Sequence, residues 1–590
     1  MSEFSVWAPA AERVELVIGE ERRPMTPGAG GWWRLAVPAA GPATDYAYAL
    51  DGGPARPDPR SRWQPAGVHG PSRVVDLSGL EWQAGWRGFH LPSAVLYELH
   101  IGTFTREGTF AAAIDRLDHL VELGVTAVSV MPVNAFPGRH GWGYDGVGLW
   151  AVHEPYGGPA GLAAFVDGCH TRGLGVILDV VYNHLGPSGN YLGEFGPYFT
   201  DRYANPWGMA VNFDQAWSDE VRRFFIDNAL MWLRDYRIDG LRLDAVHAIV
   251  DTSAVHFLEE LAGDVERLAG RVGRPLWLIP ESDLNDPRLL WSPERGGYGL
   301  HAQWSDDLHH ALHAVLTGER GGYYDDFGRL EDIASALRRA YVYDGRHSSH
   351  RGRRHGRPAD GLAGWRFLAY LQNHDQVGNR ATGDRIGAIA GTDLQKVGAA
   401  LVLTSPFIPM LFQGEEWAAS TPFQYFTDHD APELAEAVRK GRREEFVAFG
   451  WAAEEVPDPQ DPDTFLRSRL AWAERLEEPH AGVERWYRQL LALRRARTGL
   501  RDGRREDVTV RADEDAGTLV VRRGDIAVCC NLSGAERAIG ALGPRPRILL
   551  ASAEGAVVDG AAVRVPPRSA VILEAVKVVE PEGPAGRDTA

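Results

Sequence analysis

The chain has 590 residues, enough for several domains of about 150 residues each and a large buried core. Its composition, 44% hydrophobic and 24% charged, is typical of folded globular proteins and excludes an extended disordered or collagen-like chain. The net charge of −18 repels phosphate backbones and anionic membrane surfaces, so we predict no nucleic-acid partner.

The first predicted unit covers residues 1–90, where short apolar runs alternate with turn residues. The runs lie at residues 4–8, 14–18, 32–37 and 46–50. Segments rich in glycine and proline separate them, as between the strands of a small all-β domain. We therefore predict an N-terminal β-sandwich.

Residues 91–500 show a different pattern, in which apolar strands alternate with helical segments. The strand candidates are AVLYELHIGTF, VTAVSVMPV, LGVILDVVYN, IDGLRLDAV, PLWLIPESD, AQWSDD, WRFLAYLQNHD and PMLFQGEEW. Repeated strand–helix units form parallel sheets with right-handed crossovers. Eight of them predict a (β/α)8 TIM-type barrel, with a long insertion at about 185–214 after the third strand.

Residues 501–590 return to a β pattern. The segments TLVVRR, IAVCCNL and AVILEAV are the clearest strand candidates, and the chain ends in a polar tail. We predict a C-terminal β-sandwich, with disorder in the last dozen residues. The expected fold class is thus α/β, a (β/α)8 barrel flanked by two β-sandwich domains.

Four of the predicted barrel strands end in polar residues. The segments are DVVYNH at 179–184, GLRLDAVH at 240–247, PESD at 280–283 and NHD at 373–375. Any one of them could be a helix cap or a structural ion pair. Because active sites of such barrels form at the carboxyl ends of the strands, four polar ends on one rim predict an active site there.

Two of these segments each carry one acid, and the two acids have different expected roles. Arg242 and Asp244 lie two residues apart on one strand, so their side chains share a face, and the arginine can hold the acid ionised for nucleophilic attack. Glu281, on the next strand, would feel the negative charges of Asp244 and Asp375, which should raise its proton affinity. That makes Glu281 a candidate general acid, and a close pair of such carboxyl groups is typical of retaining glycosidases.

The four segments, in this order and spacing, resemble the signature regions of the α-amylase superfamily of glycoside hydrolases. By that resemblance Asp244 is the nucleophile, Glu281 the acid/base and Asp375 the third acid, which binds sugar hydroxyls. Arg242 would orient Asp244. Further residues that the resemblance places in or beside the cleavage and leaving-group subsites are Tyr144, as a stacking ring, and Asp179, His184, His247 and His374.

Several segments resemble one branch of that superfamily, the maltooligosyltrehalose trehalohydrolases. They lie at 182–191, 206–208, 304–313 and 318–324, and the chain departs from the branching-enzyme pattern at YNH and PESD. The resemblance implies hydrolysis of the α-1,4 bond between a maltooligosaccharide and a terminal trehalose unit, with retention. The candidate contacts to the trehalose side are Asp283, Asp306 and Asp307; for Asp306 and Asp307 the alternative role is capping of the helix predicted from DLHHALH.

Two other functions stay open at this point. A branching enzyme or another glucanotransferase shares the covalent step but passes the glycosyl group to a sugar hydroxyl instead of water. A non-enzymatic carbohydrate-binding protein could keep the fold, although such proteins usually lose catalytic acids, and Asp244, Glu281 and Asp375 are all present.

The same residues also bear on cofactors, partners and location. No cluster of oxygen ligands stands out, so we predict no metal and no cofactor. The expected partners are a maltooligosyltrehalose substrate and, functionally, an enzyme that forms it. Three cysteines, no signal-peptide-like start and no apolar run of about 18 residues indicate a cytoplasmic protein without a membrane partner.

Overall fold

The computed structural model describes residues 2–77, 82, 85–205, 207–448, 455–540 and 546–575. The predicted disordered tail lies outside these residues. Among the helices that are described, none combines the length and the apolar character needed to cross a bilayer.

Eight strands form a parallel sheet that curls into the central barrel, as the sequence predicts. They are β1 (Leu96–Leu99), β2 (Ala127–Val130), β3 (Gly175–Val180), β4 (Gly240–Leu243), β5 (Trp277–Pro280), β6 (Gln303–Trp304), β7 (Phe367–Tyr370) and β8 (Ile408–Phe412). Their order is β5-β4-β3-β2-β1-β8-β7-β6. The His301 backbone N–H donates to the Leu278 carbonyl across the seam between β5 and β6, at 2.9 Å.

Burial explains why these strands read as continuous apolar runs. Apart from Trp277, every strand residue of the barrel is buried. Parallel sheets of this kind are covered on both faces, so neither face selects polar side chains. The polar residues are therefore concentrated where the strands end.

Helices connect the strands, and their apolar spacing sets the buried face. In Phe257–Val272 the buried residues recur every three or four positions, and the helix ends at Gly273, whose φ of 67° suits a left-handed cap. The other longer helices are Leu117–Leu123, Gly158–Thr171, Ser218–Asp235, Asp306–Thr317, Leu330–Arg339, Thr392–Leu403, Pro432–Ala448 and His480–Ala496.

The sixth strand is much shorter than the segment AQWSDD suggests. It holds only Gln303 and Trp304, because a helix already begins at Asp306. Its connection to β7 contains a hairpin that the sequence did not reveal, Asp344–Ser348 paired with Arg353–Gly356. The predicted insertion after β3 contains a second hairpin, Phe199–Asn205 paired with Gly208–Val211.

Antiparallel sheets flank the barrel on both sides in sequence. The N-terminal strands are Ser2–Trp7, Val14–Ile18, Glu21–Pro24, Thr26–Pro27, Trp32–Val37, Asp45–Leu50, Ala55–Arg56 and Ser72–Arg73. The C-terminal strands are Val508–Asp513, Thr518–Arg523, Ile526–Asn531, Arg537–Ile539, Pro546–Ala551, Val557–Asp559, Ala562–Val565 and Ser569–Ala575. The predicted fold class, a barrel between two β-domains, is confirmed.

The N-terminal sheets are tied to the barrel by polar contacts. Arg56 pairs with Glu194 of the insertion at 2.9 Å, and the Trp63 indole N–H donates to Glu154 at 2.5 Å. A third contact reaches the loop after β8, where His69 Nε2 lies 2.7 Å from Asp430 Oδ2. These contacts place the N-terminal unit against the loops at the carboxyl ends of the strands.

Glu415, directly after β8, is a buried carboxyl group outside the strand-end cluster. It is 2% exposed and accepts a hydrogen bond from the Tyr487 hydroxyl at 3.0 Å. Burial raises its pKa from 4.5 to about 8, and the adjacent Glu416 charge adds to the effect. The folded protein therefore keeps a proton on Glu415 at neutral pH.

We expect Glu415→Gln to flatten the pH dependence of stability between about pH 5 and pH 8. In this window the unfolded chain releases the Glu415 proton and the folded chain holds it, so this group destabilises the wild type as pH rises. Glutamine mimics the protonated form and removes that contribution, on the order of a few kcal/mol. Urea unfolding of both proteins at pH 5.5 and pH 8 measures the difference; curves that shift in parallel would contradict it.

Candidate active site

The barrel brings the acids of the four polar segments to one rim. Asp179 lies in β3 and is paired in register with Arg242 of β4. Asp244 directly follows β4, Glu281 directly follows β5, and Asp375 lies in the short helix His374–Gly378 that follows β7. The carboxyl ends of these parallel strands, which share one barrel rim, thus place the side chains around one cleft.

Arg242 is the centre of the cluster. Its side chain is 1% exposed and lies 2.8 Å from Asp179 Oδ2, 2.7 Å from Asp244 Oδ1 and 3.1 Å from Glu281 Oε2. One buried guanidinium therefore contacts three carboxyl groups from three neighbouring strand ends. This contact fixes their relative positions and offsets part of their mutual repulsion.

Asp244 is held by both of its carboxylate oxygens. Oδ1 contacts Arg242, and Oδ2 accepts a hydrogen bond from the Asn183 amide at 3.0 Å. The Asn183 amide also lies 3.2 Å from the Asp244 and Ala245 carbonyls. Asn183 therefore orients Asp244, a role that the sequence reading did not give it.

Glu281 has the environment of a general acid. Burial is the main cause that raises its pKa from 4.5 to about 8; Arg242 opposes the rise, and the charges of Asp244 and Asp375 add to it. From the sequence, only the charges of Asp244 and Asp375 were predicted to raise the proton affinity of Glu281. The Ala245 backbone N–H donates to Glu281 Oε2 at 2.6 Å, from a residue with a positive φ of 37° directly after Asp244.

Tyr144, Asp179 and His374 form one hydrogen-bonded group beside Arg242. The Tyr144 hydroxyl donates to Asp179 Oδ2 at 2.6 Å, and the Tyr144 hydroxyl oxygen also lies 2.8 Å from His374 Nε2. The Tyr144 ring stacks on the His374 ring, with 5.2 Å between centroids and 18° between planes. A rigid, half-buried phenol ring in this position can form the floor of a sugar site.

His184 brings in an aromatic residue that was not among the predicted site residues. His184 Nδ1 lies 2.5 Å from Asn183 Oδ1, and its ring stacks on Trp207 at 4.5 Å. Trp207 is 48% exposed and belongs to the hairpin turn of the insertion. Its indole offers a flat apolar face next to the cluster, which suits stacking on a sugar ring.

The residues expected on the leaving-group side occupy different positions. Asp306 is largely enclosed: it accepts from the Tyr370 hydroxyl at 2.5 Å, and burial raises its pKa to about 6. Asp283 pairs with Arg351 at 3.1 Å. His247 is exposed on the turn Val246–Ala248 after Asp244.

Asp307 is enclosed by protein groups. Its Oδ2 accepts hydrogen bonds from the Asn285 amide and from the backbone N–H groups of Val342 and Tyr343, at 2.7 to 2.9 Å. The residue is 4% exposed. These bonds anchor the chain before the Asp344–Ser348 hairpin, so we assign Asp307 a structural role and not the sugar contact that the sequence suggested.

Three segments match known protein families. Residues 76–205 match the alpha amylase catalytic domain. Residues 2–61 match carbohydrate-binding module 48, the isoamylase N-terminal domain, and residues 503–572 match a domain of unknown function, DUF3459.

Similarity to curated proteins extends over nearly the whole chain. A malto-oligosyltrehalose trehalohydrolase of Arthrobacter ramosus is 55% identical over 89% of this chain and 92% of its own length. One from Rhizobium is 50% identical over 97% of both chains. The chain belongs to the malto-oligosyltrehalose trehalohydrolase family. It is therefore a glycoside hydrolase of the α-amylase superfamily.

Solved structures agree with the family fold. The crystal structure of a Salmonella typhimurium protein, described as a candidate alpha amylase, is 39% identical with a TM-score of 0.89 over 97% of both chains. A pullulanase from Bacillus acidopullulyticus has a TM-score of 0.72 over 97% of this chain and 73% of its own, at 18% identity. The second likeness shows the fold alone.

Proposed function

We propose that the protein hydrolyses the α-1,4 bond between a maltooligosaccharide and a terminal trehalose unit, and releases trehalose with retention at the cleaved centre. The observation that carries the proposal is the high identity, 44 to 55%, to seven curated relatives that share one name. The cleft contains the groups that this reaction needs.

The site supports a double displacement. Asp244 attacks the anomeric carbon while Glu281 gives its proton to the glycosidic oxygen, so the C–O bond breaks and trehalose leaves with its hydroxyl restored. Glu281 then removes a proton from water, which attacks the glycosyl ester and frees Asp244. Asp375 would bind the hydroxyls of the reacting sugar, and Tyr144 and His184 would border its ring. His374 is 1% exposed and both of its ring nitrogens are bonded within the protein, so it would position these groups and would not make the sugar contact expected from the sequence.

Selectivity for trehalose would reside in the loops after β4, β5 and β6. His247 and Asp283 lie in the segments after β4 and β5, and Asp306 begins the helix after β6; hydrogen bonds that these groups form with a kinked disaccharide would be lost with a straight glucan. Loss of such polar contacts disfavours the wrong substrate more strongly than missing apolar contact does.

Product analysis tests the proposed reaction. Purified protein is incubated with maltotriosyltrehalose and, separately, with amylose, and the products are separated by chromatography. We expect trehalose together with maltotriose from the first substrate and little attack on the second. New α-1,6 linkages in amylose would identify a branching enzyme, and maltooligosaccharides without trehalose would identify an ordinary amylase; either result would overturn the proposal.

The location and the functional partner follow from the same reaction. We propose a cytoplasmic protein that works after an enzyme that converts the reducing end of a maltooligosaccharide into a trehalose unit. The shortage of cysteines, three in the chain, supports a reducing compartment.

A further inference from the structure

Glu98, at the end of β1, forms a buried pair with His374. Glu98 Oε1 lies 2.6 Å from His374 Nδ1, and Oε2 accepts the His374 backbone N–H at 2.9 Å. The two residues are 2% and 1% exposed. The carboxylate therefore fixes both the ring and the backbone of His374.

Both ring nitrogens of His374 face hydrogen-bond acceptors. Nδ1 faces the Glu98 carboxylate. Nε2 faces the Tyr144 oxygen at 2.8 Å, and that hydroxyl already donates its proton to Asp179 at 2.6 Å. As long as the Tyr144 hydroxyl donates to Asp179, only a ring with a proton on each nitrogen satisfies both contacts.

A second buried histidine on the same strand end shows what happens without a carboxylate. His100 Nε2 faces the Gly141 carbonyl at 2.9 Å, and Nδ1 lies 3.1 Å from the Thr103 hydroxyl, which can donate to it. A neutral ring satisfies these partners, and burial lowers the His100 pKa to about 3. Burial acts on both histidines, so the carboxylates beside His374, Glu98 first among them, make the difference.

We propose that Glu98 is a positioning residue that keeps His374 doubly protonated and thereby aligns Tyr144 and Asp375 in the reacting-sugar site. This inference rests on the proposed function, for which Tyr144 and Asp375 are expected to contact the sugar. The charged ring donates to the Tyr144 oxygen and lies 3.6 Å from Asp375 Oδ1. A neutral ring would lose one of its two donated bonds and the attraction to Asp375.

The charges around His374 favour the cation on balance. Burial lowers its pKa, but Glu98 and Asp375 more than offset that and raise the pKa to about 9; Arg242 opposes the rise. Other titratable groups that interact with the His374 ring are Asp179, Tyr144 and His100. Below about pH 9 the wild-type ring is therefore charged, whereas without Glu98 we expect the charge of Asp375 roughly to offset burial, so that the ring loses its proton near pH 6.5.

The test is the pH profile of kcat/KM for trehalose release from maltotriosyltrehalose. The wild type should lose activity only above about pH 8, where Glu281 gives up its proton. In Glu98→Gln the alkaline limb should move down by at least about one pH unit, so that activity falls roughly tenfold at pH 7.5 but stays near wild type at pH 5.5. A profile lowered equally at every pH would overturn the inference.

Two further variants separate charge from packing. Glu98→Asp keeps the charge on a shorter side chain, so the alkaline limb of its kcat/KM profile should stay at the wild-type pH even if kcat drops. This variant also tests the inference if Glu98→Gln does not fold. Glu416→Gln removes another buried carboxylate bonded to a histidine, His119, at 2.9 Å, and should lower stability without moving the limb. A Glu98→Asp limb shifted to neutral pH contradicts the inference, whereas a wild type that releases no trehalose contradicts the proposed function instead.

Discussion

Glu281→Gln should abolish turnover of oligosaccharides while the protein stays folded. The protonated wild-type carboxyl is the proton donor to the leaving sugar, and glutamine has no proton to give. General acid catalysis contributes about 10²- to 10⁴-fold, so we expect kcat on maltotriosyltrehalose to fall by a factor in that range. The glutamine oxygen can still accept from the Ala245 N–H, which argues for an intact fold.

The leaving group distinguishes lost acid catalysis from a damaged site. Fluoride departs without protonation, so release of fluoride from α-maltosyl fluoride in the first turnover should be affected far less than oligosaccharide cleavage. Glu415→Gln is the matched control, because Glu415 also has a pKa raised to about 8 by burial but lies outside the cleft. Near wild-type turnover in Glu281→Gln would reject the acid/base assignment.

The barrel could be predicted because its physical signals are local. Each strand is buried on both faces and reads as an apolar run, and the polar residues that end β3, β4, β5 and β7 mark the rim. The contact of Arg242 with Asp244 follows from a spacing of two on one strand end. The length of β6 was overestimated because its end could not be located from local signals. The polar residues Ser305 and Asp306 were expected to end the strand, as polar residues end its neighbours, but the helix already begins at Asp306.

Contacts between distant segments could not be predicted. Asp306 and Asp307 are adjacent in sequence, yet successive helical residues point about 100° apart, so one faces Tyr370 and the other the backbone of Val342 and Tyr343. Glu98 reads as an ordinary strand residue. Its partner lies 276 positions later and meets it only because β1 and β7 both adjoin β8.

Asp244→Asn should remove the first chemical step altogether. Arg242 and Asn183 hold both Asp244 oxygens at 2.7 and 3.0 Å, which orients the carboxylate for attack on the anomeric carbon. Asparagine has nearly the same volume as aspartate but no carboxylate to act as the nucleophile. We expect kcat to fall by roughly 10⁴-fold or more, with little loss of oligosaccharide binding measured by calorimetry.

Covalent trapping decides whether Asp244 forms the glycosyl ester. With 5-fluoro-α-glucosyl fluoride the anomeric C–F bond breaks, fluoride leaves and an ester forms to the nucleophile, while the ring fluorine slows its hydrolysis. Mass spectrometry of peptides should find the adduct on Asp244 in the wild type and in Asp307→Asn, because Asp307 lies outside the cleft. An adduct on another residue, or labelling of Asp244→Asn at the wild-type rate, would contradict the assignment and with it the proposed double displacement.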